Sequence, residues 1–241
     1  MCLVQKTLFL QNEIIDMAKF LHIETSTKVC SVALSENGQL IDLLEESSDA
    51  YIHSEKLTVF IEEICKKNDW KLKNLDGIVV TSGPGSYTGL RIGVSTAKGL
   101  CYALSIPMIA VNTLESIAYL AREKHPDSKI CAMIDARRME VFSTIFDADF
   151  KVIKSLSADI LEEETYEEFL PLVIVGDGAS KTKEIWGNRD LIIDDSIISS
   201  AAGQVEIAFD KFKNEEFEDV AYFEPKYLKD FVVTPSKKKA F

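Results

Sequence analysis

Apolar and polar positions alternate through residues 20–46, FLHIETSTKVCSVALSENGQLIDLLEE, in the manner of strands. The segment reads as a strand ending in an acid, Glu24, then a short polar turn and two further strands joined at Asn37-Gly38. That dipeptide favours a hairpin because both residues tolerate positive φ. Residues 130–155, ICAMIDARRMEVFSTIFDADFKVIKS, repeat the plan. An apolar strand ends in Ile134-Asp135, a polar turn follows, and two strands flank a turn at Asp147 to Asp149. Glu24 and Asp135 fall at equivalent places in the two units.

The second parts of the units also correspond. After the first hairpin, Leu57, Ile61, Ile64 and Cys65 recur at helical spacing, predicting a helix over 54–68. DGIVVTSGPGS then gives a strand and a glycine turn leading into a helix over 89–104. After the second hairpin comes an acidic stretch around Tyr166 to Leu170, expected to be helical, and PLVIVGDGASKTKEIW repeats strand, Gly176-x-Gly178 turn and helix. Duplicated βββαβα units of this kind build the α/β actin-like ATPase (ASKHA) superfamily, whose two ribonuclease-H-like halves enclose a cleft. The expected division is an N-terminal extension over 1–18, halves over 19–126 and 127–230, and a basic tail over 231–241 with Lys237, Lys238 and Lys239.

Composition narrows the function classes. The apolar fraction of 46% is ample for a packed core, while the net charge of −12 weighs against a protein that grips nucleic acid by itself. Five scattered cysteines without a Cys-x-x-Cys pair read as reduced thiols in the cytoplasm, with no disulfide frame. No apolar run is long enough to span a membrane, and the first sixteen residues lack the features of a secretion signal.

Catalytic motifs fit poorly. Gly85 to Gly89 leaves three residues between, with Leu90 where a phosphate-loop lysine would stand. Gly83 and Gly85 begin a dinucleotide fingerprint, but the third glycine arrives one place late, and the following strand ends in Asn112 rather than an acid. There is no Gly-x-Ser-x-Gly elbow and no His-Glu-x-x-His pair. Glu24 and Asp135 remain as opposed carboxylates, read either as inherited turn chemistry or as handles for nucleotide and metal.

LHIETSTKVCSVAL, SGPGSYTGLRIGVSTAKGL and IDARRMEVF together resemble the TsaB (YeaZ) family, over about residues 19–229. The middle motif is highly specific; in the C-terminal third EPKYLKDF matches only loosely. The resemblance implies a non-catalytic subunit in tRNA threonylcarbamoyladenosine biosynthesis. Its partner would be a TsaD-type transferase that acts on the adenosine beside the anticodon. A TsaE-type ATPase would join the larger complex, and tRNA contact by this chain would be indirect or weak. Transferases of this kind carry a His-x-x-x-His metal pair after the glycine-loop helix; here the pair falls on Thr113 and Ile117, with Asn112 and Glu115 placed as a capping box. No metal and no cofactor is expected.

Gly89, Gly93, Ala97 and Cys101 place small residues every four positions along the glycine-loop helix. Interior glycines cost about 1 kcal/mol each, which close approach by another backbone would offset. That backbone belongs to the protein's own sheet or to a partner helix. Because the family joins its transferase through the first two helices, the resemblance implies a partner face of Leu57, Ile61, Gly89, Gly93, Ala97 and Cys101. A vestigial nucleotide cleft would comprise Glu24, Thr25, Ser26, Asp135, Gly176 and Gly178. Two other readings stay open: a small-molecule kinase or ATPase using Glu24 and Asp135, and a regulatory homodimer.

Overall fold

The computed structural model describes residues 18–48 and 52–229; the expected extension, apart from Ala18, and the basic tail lie outside them. In the first half, β1 (Lys19–Glu24), β2 (Val29–Glu36) and β3 (Gln39–Ser47) form an antiparallel meander. Asn37 and Gly38 turn its hairpin with φ of 56° and 73°. Helix α1 (His53–Lys67) leads to β4 (Gly77–Gly83), and α2 (Tyr87–Leu104) leads to β5 (Met108–Asn112). Strands β4 and β5 add parallel beside β1, in the order β3-β2-β1-β4-β5.

The second half repeats this sheet. After α3 (Thr113–Lys124) come β6 (Ile130–Asp135), β7 (Glu140–Phe146) and β8 (Val152–Ile160), again antiparallel. Strand β9 (Leu172–Val175), helix α4 (Thr182–Trp186), β10 (Leu191–Asp194) and α5 (Val205–Lys213) complete it, with sheet order β8-β7-β6-β9-β10. Glu24 and Asp135 end the central strand of their respective sheets, each opposite the start of the antiparallel neighbour at Ser31 and Val141.

Two expectations need correction. The acidic stretch before β9 forms only a short 3-10 turn, Glu167–Phe169. Glu163 and Glu167, like Glu164 and Glu168, would repel at helical spacing, and Pro171 restricts the residue before it. Ala18, assigned to the extension, is a buried core residue whose carbonyl accepts from Asn37 N at 3.0 Å.

The sheets are covered by crossed helices. Leu21 and Ile23 of β1 pack with Leu57, Ile61 and Ile64 of α1 and with Val94 and Ala97 of α2. The opposite face, with Phe20, Val79 and Ile109, is closed by Ile207 and Ala208 of α5, which follows the second sheet in sequence. Conversely α3, which follows the first sheet, lays Leu114, Ile117, Ala118 and Ala121 against Ile130, Ala132 and Ile134 of the second. Each half is thus completed by a helix that follows the other half's sheet. Asn112 starts α3 as its N-cap, accepting from Leu114 N at 2.9 Å and Glu115 N at 3.3 Å.

Candidate functional site

The glycine loop is filled by its own neighbours. Ser86 caps α2, its hydroxyl accepting from Gly89 N at 3.2 Å, while Ser86 N donates to Ser26 O at 2.6 Å. Ser26 also occupies the space a side chain on Gly85 would need. Gly83, at φ +100°, lies under the carbonyl of Lys226, and Lys226 N donates to Ser82 O at 2.8 Å. The helix N-terminus is therefore covered on one side by the turn after β1 and on the other by a C-terminal strap.

That strap, residues 217–229, has no counterpart among the elements expected from the sequence. Glu218 N bonds Met108 O at 2.9 Å, Val220 and Phe223 pack on the first core, and Lys98 Nζ donates to Ala221 O at 3.0 Å. Tyr227 then packs against Tyr87 in a tilted ring contact, 4.7 Å between centroids, and Lys229 reaches Ala136 and Glu140 in the second half. EPKYLKDF has no periodicity; its alternation of aromatic and basic residues was the available signal.

The small-residue face of α2 is turned inward. A side chain at Gly89 would collide with the Thr25 carbonyl and one at Gly93 with the Thr25 hydroxyl, while Ala97 and Cys101 are buried. The Cys101 thiol contacts Pro107 O, and burial pushes its pKa up to about 11. The backbone these residues approach belongs to the chain's own first sheet, because they share an arc of α2 with the buried Leu90 and Val94. Leu57 is a core residue as well. Among the expected partner residues, only Ile61 borders open space.

That space is a groove of about 530 Å³ between α1 and α2. Ile61 and Cys65 line it from α1, Thr96 and Leu100 from α2, and Trp70 and Leu72 from the following turn, with Glu62 and Lys66 also lining it. Beside it, nothing lies within 4 Å of where a side chain on Gly99 would project. Tyr102, one turn from Gly99 on α2, is 84% exposed.

The two carboxylates do not serve a common opening. Glu24 is fully buried; Oε1 accepts from Ser26 N at 2.6 Å and Oε2 from the Thr81 hydroxyl at 2.6 Å. Burial raises its pKa above the ordinary value, opposed by these hydrogen bonds. Gln204, from the segment before α5, donates to Thr81 Oγ1 at 2.8 Å and closes the cluster. Asp135 is exposed, accepting from Arg137 N at 2.5 Å and pairing with Lys181 at 2.6 Å. Thr25 spends its hydroxyl on Gly89 O at 2.8 Å. Gly176 and Gly178 press on the backbone of Met133 and Ile134, where a side chain on Gly176 would collide with the Met133 carbonyl. The expected cleft residues are thus packing residues in this chain, Asp135 excepted.

The positions of the metal pair are equally committed. Thr113 donates to Pro84 O at 2.7 Å, and Ile117 is a core residue under the second sheet. Among the described residues, no group of three His, Cys, Asp or Glu is placed to hold a metal ion. No helix among them is long and apolar enough to cross a membrane.

The family described as TsaD, tRNA N6-adenosine threonylcarbamoyltransferase, matches residues 47–234. The tRNA threonylcarbamoyladenosine biosynthesis protein TsaB of Bacillus subtilis is 31% identical over 87% of this chain and 93% of its own length. The chain belongs to the TsaB family. The TsaB protein of Escherichia coli is 28% identical over 89% of this chain and 96% of its own. In fold, YeaZ from Pseudomonas aeruginosa superposes with a TM-score of 0.77, covering 88% of this chain and all of that one at 24% identity. A tRNA N6-adenosine threonylcarbamoyltransferase from Geotalea daltonii shares 45% identity over 64 residues, 27% of this chain and 19% of the enzyme. TsaB and the transferase are therefore kin in sequence.

Proposed function

We propose that this TsaB family member is a non-catalytic subunit of tRNA threonylcarbamoyladenosine biosynthesis that binds and activates a TsaD-type transferase through the groove between α1 and α2. The observation that carries the reading is that groove: apolar, open, and flanked by a glycine with nothing against it. Gly99 weakens α2 by about 1 kcal/mol with no packing gain in the isolated chain. Close approach by a partner helix supplies the gain. Kinship between TsaB and the transferase supports a face-to-face pairing in which equivalent helices of two similar folds meet.

Two features of the side chains support a non-catalytic role. Thr113 and Ile117 offer no imidazole pair, and Glu24 is sealed among Ser26, Thr81 and Gln204. The transferase would supply the reaction, a TsaE-type ATPase would join the larger complex, and the cytoplasm is the compartment. A homodimer through the same groove would be the resting form that the transferase displaces.

The test mixes the purified chain with the transferase and measures affinity for native protein and for Leu100→Glu. A carboxylate placed in the groove should weaken binding by about thirtyfold or more while the fold survives. Unchanged affinity would remove the groove from the interface. Modification of tRNA by this chain alone, supplied with threonylcarbamoyl-adenylate, would overturn the non-catalytic assignment.

A further inference from the structure

The turn between β6 and β7 carries Arg137 and Arg138, both exposed and both at positive φ, 73° and 50°. That backbone is costly for residues with a Cβ, by about 1–3 kcal/mol each, and a shorter polar residue or glycine would relieve it. Neither guanidinium has a carboxylate partner among the described residues. The strap brings Lys229 to the same turn, where Nζ donates to Ala136 O at 3.5 Å and pairs with Glu140. Two residues earlier on the strap, Tyr227 packs at a tilt against Tyr87 and accepts from Arg91 Nε at 3.3 Å. The Arg91 guanidinium lies 4.0 Å from the centroid of the Tyr87 ring.

The result is one continuous strip running from α2 of the first half, along the strap, to the hairpin of the second. It holds three of the chain's five arginines in a protein of net charge −12. Guanidinium groups bind phosphate through a planar fork, and aromatic rings beside them offer a face on which a base can stack. We infer that this strip, Arg137 and Arg138 with the Arg91–Tyr87–Tyr227 cluster and Lys229, is a docking surface for the phosphate backbone of the RNA substrate when the chain is joined to its transferase. The inference rests on the proposed function for the identity of the complex, and it replaces an indirect role toward tRNA with a direct one. An acidic patch on the transferase is the rival occupant. It accounts for the arginines but makes no use of the aromatic rings, which besides holding the strap place apolar faces beside the guanidinium groups as an RNA base requires.

The test exploits the strained turn. Arg137→Asn with Arg138→Gly removes both charges and installs residues suited to positive φ. Binding of unmodified tRNA to the complex with transferase is measured across a range of salt concentrations, for native chain and variant. The variant should lose roughly tenfold in RNA affinity, and its salt slope should fall by about two. Its affinity for the transferase without RNA should be unchanged, and its melting temperature should hold or rise. Unchanged RNA affinity and slope would overturn the inference. So would a loss of transferase affinity, which would make the strip a protein interface. If the variant does not fold, Arg137→Gln with Arg138→Gln is read by the same criteria. If the native chain does not bind the transferase, the proposed function fails, and the strip is then tested on the chain alone with the same tRNA. Variant-sensitive binding there upholds it, and insensitive or absent binding overturns it.

Discussion

Gly89 and Thr25 are joined at a distance only glycine permits: the Thr25 hydroxyl donates to Gly89 O at 2.8 Å, and the Thr25 carbonyl occupies the place of a Gly89 side chain. One turn on, Gly93 faces the same hydroxyl. The turn after β1 is thereby clamped to the first two turns of α2. The same clamp that holds the turn also covers the loop that would otherwise resemble a phosphate site. Gly99 belongs to the other side of the helix, where nothing opposes it.

Gly93→Ala should therefore destabilise the isolated chain, and Gly99→Ala should stabilise it. Overpacking against Thr25 costs about 1–3 kcal/mol, whereas alanine at an open helical position gains up to about 1 kcal/mol. Urea unfolding of the two variants reads the difference directly. Equal midpoints would show that the α2–β1 contact yields freely.

What the sequence disclosed and what it hid both have physical causes. Strands β1, β2, β6 and β7 were legible because alternation has a period of two and Asn37-Gly38 admits one hairpin. The spacing of Gly89, Gly93, Ala97 and Cys101 correctly announced close approach, but a period of four does not say which body approaches. Leu90 and Val94, on the same arc, were the residues that could have pointed inward. An amphipathic face likewise does not name the sheet it covers, so the crossing of α3 and α5 was hidden. The strap was hidden too, being held by isolated bonds such as Lys226 N to Ser82 O and by the Tyr87–Tyr227 ring contact rather than by periodic packing.

Restoring histidines at Thr113 and Ile117 should not restore a metal centre. The Thr113 hydroxyl is bound to Pro84 O, and Ile117 is fully buried among Leu114, Ala118 and the second sheet. Imidazole in that core is a buried polar group without a partner, costing about 1–3 kcal/mol beyond the lost packing. The double variant should melt earlier and bind no stoichiometric iron or zinc by elemental analysis. One metal per folded chain would contradict this.

Stability should depend on pH through His22. Its Nε2 is 2.7 Å from Ser35 Oγ, the ring is fully buried, and burial lowers its pKa from 6.5 to about 3. Between those values the unfolded chain binds a proton and the native chain does not. The stabilising contribution is thus complete above pH 6.5 and is lost as pH falls toward 3. Glu24, raised above its ordinary 4.5, acts with the opposite sign, weakening the fold as pH rises through its own titration. Comparing native protein with His22→Gln isolates the histidine: the difference in unfolding free energy should narrow as pH falls from about 7 to about 4. A constant difference would show that His22 is not held neutral.

Glu24→Gln separates a structural acid from a catalytic one. The carboxylate accepts from Ser26 N and Thr81 Oγ1, and glutamine retains one acceptor oxygen for the Ser26 amide while removing the charge that burial disfavours. Its amide would meet the Thr81 hydroxyl, which must then turn its lone pair inward and share it with Gln204. The stability cost of that rearrangement should be small near neutral pH, where a buried carboxylate carries its own penalty. In the assembled complex, the rate of tRNA modification should stay within about twofold, because no substrate atom needs a base that is sealed from solvent. General acid–base groups contribute about 10²–10⁴ to rate, so a loss of that size with normal transferase binding would place Glu24 in the chemistry. A micromolar nucleotide affinity abolished by the same substitution would lead to the same conclusion, and would move this chain from partner to enzyme.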